Sequence, residues 1–132
     1  MKKEKIIVRT LDDLSQVAKF TLDNLTSSKK VLLNGDLGAG KTALVKKIAE
    51  QIGIKQPITS PTFNYMKVYD GLVHIDAYNL TEDLSEFEDF FDNNIVAIEW
   101  ANNITIYDKN YLEINIEVDT ENNRIYTITK EE

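Results

Sequence analysis

The chain has 132 residues, no cysteine and a net charge of −7. That length predicts a single domain over 1–132 with one sizeable core, and the missing cysteines exclude disulfides and thiolate metal sites. No apolar run approaches the ~18 residues that cross a membrane, and an acidic chain is a poor autonomous binder of phosphate backbones. The lysine-rich start (Lys2, Lys3, Lys5) meets Asp12 and Asp13 before any apolar stretch of signal-peptide length, so a cytoplasmic location is expected. Charge is uneven: residues 1–53 hold ten Lys/Arg against six Asp/Glu, and residues 54–132 hold five against sixteen. Both halves read as solvated surfaces, and the acidic half is also suited to dock on a basic partner.

In chain order, Ile6-Ile7-Val8 predicts a first strand. Thr10 is placed as an N-cap with Asp13 three residues on, and Leu11, Leu14, Ala18, Leu22 and Leu25 follow on one helical face. Thr26-Ser27-Ser28 breaks the pattern. Val31-Leu32-Leu33 reads as a buried parallel strand. Ala43, Leu44, Ile48, Ala49 and Ile52 then repeat at helical spacing, with Gly53 placed to end the helix. Both prolines, Pro57 and Pro61, fall in the next loop. Phe63 to Tyr69 and Leu72 to Asp76 flank Asp70-Gly71, a hairpin signal of the type I′ kind. Thr81 is placed to cap a short acidic helix over 82–91. Ile95 to Ile98 predicts another buried strand. Leu112, Ile114, Ile116 and Val118 alternate with polar residues, and Arg124 to Thr129 reads as a last edge strand. The sum is α/β, a P-loop NTPase-like sheet with a parallel core, antiparallel hairpins at its margin and flanking helices.

The segment between the second predicted strand and second helix carries the chemistry. Gly35-Asp36-Leu37-Gly38-Ala39-Gly40-Lys41-Thr42 fills G-x-x-x-x-G-K-[ST] at every fixed position. Gly35, Gly38 and Gly40 let the loop curl with its N–H groups inward, and the following helix start adds positive potential for phosphate. Lys41 is placed to reach the β/γ-phosphates, and the Thr42 hydroxyl to bind Mg²⁺. ATP and Mg²⁺ are therefore the expected ligands.

Ligands of an open α/β sheet bind beyond the carboxyl ends of its strands. Two apolar strands end there in an acid, Asp76 and Glu99, and either is suited to hold Mg²⁺ or its waters and to orient an attacking water. His74 shares a face with Asp76 by alternation and reads as a hydrogen-bonded packing residue rather than a catalyst. Ser60-Pro61-Thr62 offers hydroxyls toward the γ-phosphate. Only Arg9 and Arg124 are present, and in the sequence neither lies near the P-loop. Phosphoryl-transferring kinases need an arginine clamp and an acceptor lid, and the chain has no Asn-Lys-x-Asp run to select guanine. An ATPase of low intrinsic turnover, activated by a partner, is the leading expectation. A small-molecule P-loop kinase and a nucleotide-sensing module without significant turnover are the alternatives.

Gly-Asp-Leu-Gly-Ala-Gly-Lys-Thr (35–42), Thr-Ser-Pro-Thr-Phe (59–63), His-Ile-Asp-Ala-Tyr (74–78) and Ile-Glu-Trp (98–100) come in the order and near the spacing of the TsaE (YjeE) family, which this chain resembles closely over about residues 31–100. The resemblance implies the ATPase component of the bacterial machinery that makes N6-threonylcarbamoyladenosine (t6A) at position 37 of tRNA. It implies TsaD-like and TsaB-like partners, only indirect contact with tRNA, and ATP/ADP binding with hydrolysis that keeps the transfer complex cycling. It gives Gly38 to Thr42 to the phosphates, Thr42 and Glu99 to Mg²⁺, Asp76 a Walker B-type role, Ser60 to Thr62 a nucleotide-responsive loop, and Trp100 a place beside the nucleotide. The chain departs from the family pattern at Asn79, usually arginine, and at Ala101-Asn102, usually Pro-Glu.

Overall fold

A computed structural model of the chain describes residues 2–36, 39–59, 61, 65–80, 82–107 and 110–131. In chain order its elements are β1 (Lys2–Val8), α1 (Leu11–Asp23), β2 (Lys30–Gly35), α2 (Lys41–Gln51), β3 (Met66–Tyr69), β4 (Leu72–Asp76), β5 (Ile95–Glu99), β6 (Tyr111–Val118) and β7 (Arg124–Glu131). Short 3₁₀ turns cover Ser85–Phe90 and Ala101–Asn103. The strands form one sheet in the order β1-β7-β6-β2-β5-β4-β3. β6, β2, β5 and β4 run parallel, while β1, β7 and β3 pair antiparallel with their neighbours.

Alternation along the strands sorts the core into two layers. Val31, Leu33, Leu72, Ile95, Ala97, Leu112, Ile114, Ile116, Tyr126 and Ile128 face α1 and α2. Leu32, Val73, Ile75, Val96 and Ile98 face the 3₁₀ side with Leu84 and Phe87. α2 seals the first layer with Leu44, Val45 and Ile48, each fully buried and worth about 1.5–3 kcal/mol. α1 buries Leu14, Val17, Ala18 and Thr21. The buried stripe is rotated from the predicted one, leaving Leu11 70% exposed and Ala43 on the outside of α2.

Thr10 caps α1 as expected, accepting from the Asp13 N–H while the Asp13 carboxylate takes the Thr10 N–H. The chain reverses at Asp70-Gly71, but Gly71 alone of the two takes positive φ (+89°), so the turn is not type I′. The acidic segment is a 3₁₀ turn, not an α-helix. Its buried anchors, Leu84 and Phe87, are three apart, which suits a three-residue period, and its first turn carries Glu86 and Glu88. The predicted cap, Thr81, lies outside the described residues, as does the Phe63–Asn64 start expected for β3.

The largest departure is β7. It reads as an edge strand, but β1 pairs along its whole length from Lys2↔Lys130 to Val8↔Arg124, so β7 is interior. Its alternation was visible in the sequence. Its second neighbour comes from the opposite end of the chain. The sheet leaves β2 flanked by β5 on one side and β6 on the other, making the carboxyl end of β2 the point where the topology switches direction.

Candidate functional site

β2 ends at Gly35, where a Cβ would stand 2.9 Å from the Ile116 carbonyl oxygen of β6. Glycine here permits close approach of two backbones. Gly40, just before α2, takes φ +124°, a conformation that L side chains rarely adopt. The Ala39 N–H bonds the Asp36 carbonyl at 2.9 Å, curling the loop back on itself. Leu37 and Gly38 lie outside the described residues. No side chain caps the start of α2, whereas α1 is capped twice over. A helix start without a side-chain cap suits an anion.

Lys41 is turned inward and is only 5% exposed. Its Nζ donates to the carbonyls of Gly35 and, at 3.0 Å, Asp36. It also lies 4.0 Å from the centroid of the Trp100 ring. Burial lowers the Lys41 pKa, while Glu99, Asp36 and Asp76 act to raise it. The loop carbonyls and the indole therefore hold the ammonium at the mouth of the loop.

Asp76 and Glu99 are register partners at the ends of β4 and β5. The Ala77 N–H bonds the Glu99 carbonyl and the Trp100 N–H bonds the Leu33 carbonyl, both at 2.9 Å, carrying the parallel pairing past the strands. Glu99 is 5% exposed. The Thr42 hydroxyl lies 2.9 Å from its Oε2 and 3.1 Å from its Oε1. His74 Nε2 lies 2.6 Å from Oε2. Asp76 is less buried, and its Oδ1 accepts the Tyr78 N–H at 3.0 Å. Trp100 sits in the left-handed region (φ 59°, ψ 37°), strained for a bulky residue, and meets the Tyr78 ring edge-on at 4.9 Å.

The fold thus brings Lys41, Thr42, Asp76, Glu99 and Trp100 to one end of the sheet. Pro61 is buried, but Ser60 and Thr62 lie outside the described residues. Among the described residues no three or more His, Cys, Asp or Glu side chains cluster as a metal cage. One hydroxyl and two carboxylates are hard oxygen donors, which suits Mg²⁺ completed by water and phosphate oxygens.

One contact had no local signal in the sequence. Tyr126 of β7 is buried, and its hydroxyl donates to the Gly40 carbonyl at 3.1 Å. Arg124 lies two residues before it on the same strand face, so the fold brings this arginine nearer the P-loop than its place in the chain implies. It nonetheless stands across β6 and β2 from Glu99. Arg9 is exposed.

A family model described as "Threonylcarbamoyl adenosine biosynthesis protein TsaE" matches residues 8–126. The chain is 35% identical over 133 aligned positions to the tRNA threonylcarbamoyladenosine biosynthesis protein TsaE of Rickettsia felis, covering 93% of this chain and 78% of that one. It is 36% identical over 117 positions to the protein of the same name from Treponema pallidum, covering 79% and 84%. The crystal structure of YdiB from Bacillus subtilis matches with a TM-score of 0.78 at 27% identity, over 99% of this chain and 87% of that chain.

Proposed function

The chain belongs to the TsaE family, and from that premise we propose that it is the Mg²⁺-dependent ATP-binding and hydrolysing subunit of the t6A tRNA-modification machinery. The single observation that carries the enzymatic part is the Thr42–Glu99 contact at 2.9 Å. It joins the P-loop threonine to a strand-end carboxylate, the pairing an Mg²⁺–nucleotide site requires.

In this reading the uncapped start of α2 and the loop amides bind the polyphosphate. Lys41 exchanges the loop carbonyls for phosphate oxygens. Thr42 and Glu99 would hold Mg²⁺, and Asp76, one strand over and more open to water, orients the attacking water. The metal, when bound, would neutralise charge developing on the phosphoryl oxygens. Trp100 and Tyr78 wall the site on the β4–β5 side and keep bulk water from Lys41.

Low turnover in isolation follows from the arginines. Arg9 is exposed beyond β1, and Arg124 stands on the far side of β2 from Glu99. A cation supplied in trans is worth ~10³–10⁵ in rate. TsaD-like and TsaB-like proteins are the proposed partners, with tRNA reached through them. The proposed location is the cytoplasm; no helix among the described residues is long and apolar enough to cross a membrane.

The test is ATP hydrolysis by the purified chain, alone and with its TsaD- and TsaB-like proteins, beside a pull-down with and without ATP. Turnover of tens per second alone would end the partner-activated reading. Phosphate appearing on a metabolite would favour a kinase. Nucleotide-dependent capture with no hydrolysis under any condition would leave a sensor.

A further inference from the structure

We infer that His74 is a positioning residue for Glu99: its imidazole fixes one carboxylate oxygen and thereby aims the other at the cation site. The inference rests on the reading of Glu99 as a metal-side carboxylate.

His74 is fully buried on the β4 face that packs toward α2. Its register partner on β5 is Ala97, and Glu99 lies two residues further on the same face. A methyl opposite the ring leaves it room to cross to that next position. There Nε2 meets Glu99 Oε2 at 2.6 Å, a short hydrogen bond. In this reading the ring proton is on Nε2, the donor to a carboxylate oxygen. Nδ1 has no hydrogen-bond partner among the described residues.

That asymmetry argues against simple packing. A fully buried ring with one unpartnered nitrogen is costly, and an apolar side chain of similar size would fill the space without that cost. The bond to Glu99 is what the polar ring adds. Oε2 already receives Thr42 at 2.9 Å and His74 at 2.6 Å, while Oε1 has Thr42 alone, at 3.1 Å. His74 therefore occupies one oxygen and leaves the other less engaged. Partners that orient ligating carboxylates are commonly worth 10–100-fold in metal affinity.

The experiment measures Mn²⁺ binding to the full chain in the presence of ADP, from the electron paramagnetic resonance signal of the free ion, beside the melting temperature of each variant. His74→Gln places an amide donor near the position of Nε2. His74→Asn is polar but too short, and His74→Met fills space without donating. Expected is Mn²⁺ affinity near wild type for His74→Gln and about tenfold weaker or worse for His74→Asn and His74→Met. ADP binding without metal should be unchanged in all three. Should His74→Met not fold, the Gln–Asn comparison decides. Equal Mn²⁺ affinity in His74→Gln and His74→Asn, with only melting temperatures altered, would overturn the inference. Glu99→Gln is the control for the underlying reading. If it loses Mn²⁺ while His74→Asn does not, only the role of His74 falls. If it binds Mn²⁺ as wild type does, Glu99 is not a ligand and both fall.

Discussion

The hydroxyl of Tyr126 donates to the carbonyl of Gly40 at 3.1 Å across 86 residues of sequence. One strand of the antiparallel margin thereby braces the start of α2 at the residue preceding Lys41. A Cβ on Gly40 would run into the Tyr126 hydroxyl and would also face the strain of φ +124°. Tyr126→Phe should cost about 1 kcal/mol of stability for one hydrogen bond and weaken nucleotide binding several-fold. Gly40→Ala should do more damage. The double variant should recover part of that loss, because the clash goes and the strained φ stays. A strictly additive double-mutant cycle would show that the two residues act independently.

Burial raises the Tyr126 pKa from 10.0 to about 12, with Arg124 pulling slightly the other way. Below pH 10 the phenol is protonated in both folded and unfolded chains. Above it the unfolded chain releases a proton that the folded chain keeps, so stability falls as pH rises toward 12. Two units correspond to roughly 3 kcal/mol at most. Urea denaturation at pH 9, 10 and 11 should show a steeper decline in wild type than in Tyr126→Phe, which keeps only Tyr111 of the two tyrosines with a raised pKa. Parallel curves for the two proteins would refute this.

Lys41 lies 4.0 Å from the ring of Trp100, the one tryptophan of the chain. Mg-ADP is expected to draw the ammonium toward phosphate and change the indole emission. Lys41→Ala should already differ from wild type without nucleotide and should lose most nucleotide binding. Identical spectra for the two nucleotide-free proteins would mean that the ammonium does not rest on the indole in solution.

Glu99→Gln preserves shape while removing charge. It should bind ATP with an affinity within a few-fold of wild type and lose at least ~100-fold in partner-stimulated turnover. Asp76→Ala should likewise separate binding from hydrolysis. Retained turnover in both variants would show that neither carboxylate takes part in hydrolysis.

The α1 cap follows β1, three strands from β2 and its glycine loop, and serves as a structural control. Thr10→Ala should cost about 1 kcal/mol and lower the melting temperature by about 4 °C without changing nucleotide affinity. Backbone N–H groups of Arg9 and then Thr10 hold the Asp13 pKa below its ordinary value. Its contribution is present at neutral pH and lost as pH falls through that depressed value. Asp13→Ala should flatten the acid limb of a stability–pH curve, and an unchanged limb would count against the capping box in solution.

Local chemistry explains how much was legible beforehand. The glycine loop, the apolar runs of β2, β4 and β5, and the Thr10 cap depend on residues a few positions apart, so one-dimensional pattern reveals them. The strand-end acids were also legible, because a buried strand must end where polarity begins. The 3₁₀ segment was misread as a longer helix because acidic residues around two anchors three apart satisfy either period weakly.

What the amino-acid order determined unaided was the phosphate loop, its lysine and threonine, and the two carboxylates waiting at strand ends. Only the folded sheet decided which carboxylate meets Thr42, that His74 bonds that same carboxylate, that Lys41 rests on Trp100, and that Tyr126 braces Gly40. Each of those contacts depends on which strands lie side by side. Strand order is set by burying both faces of the whole sheet together, a condition that no stretch of a few residues contains.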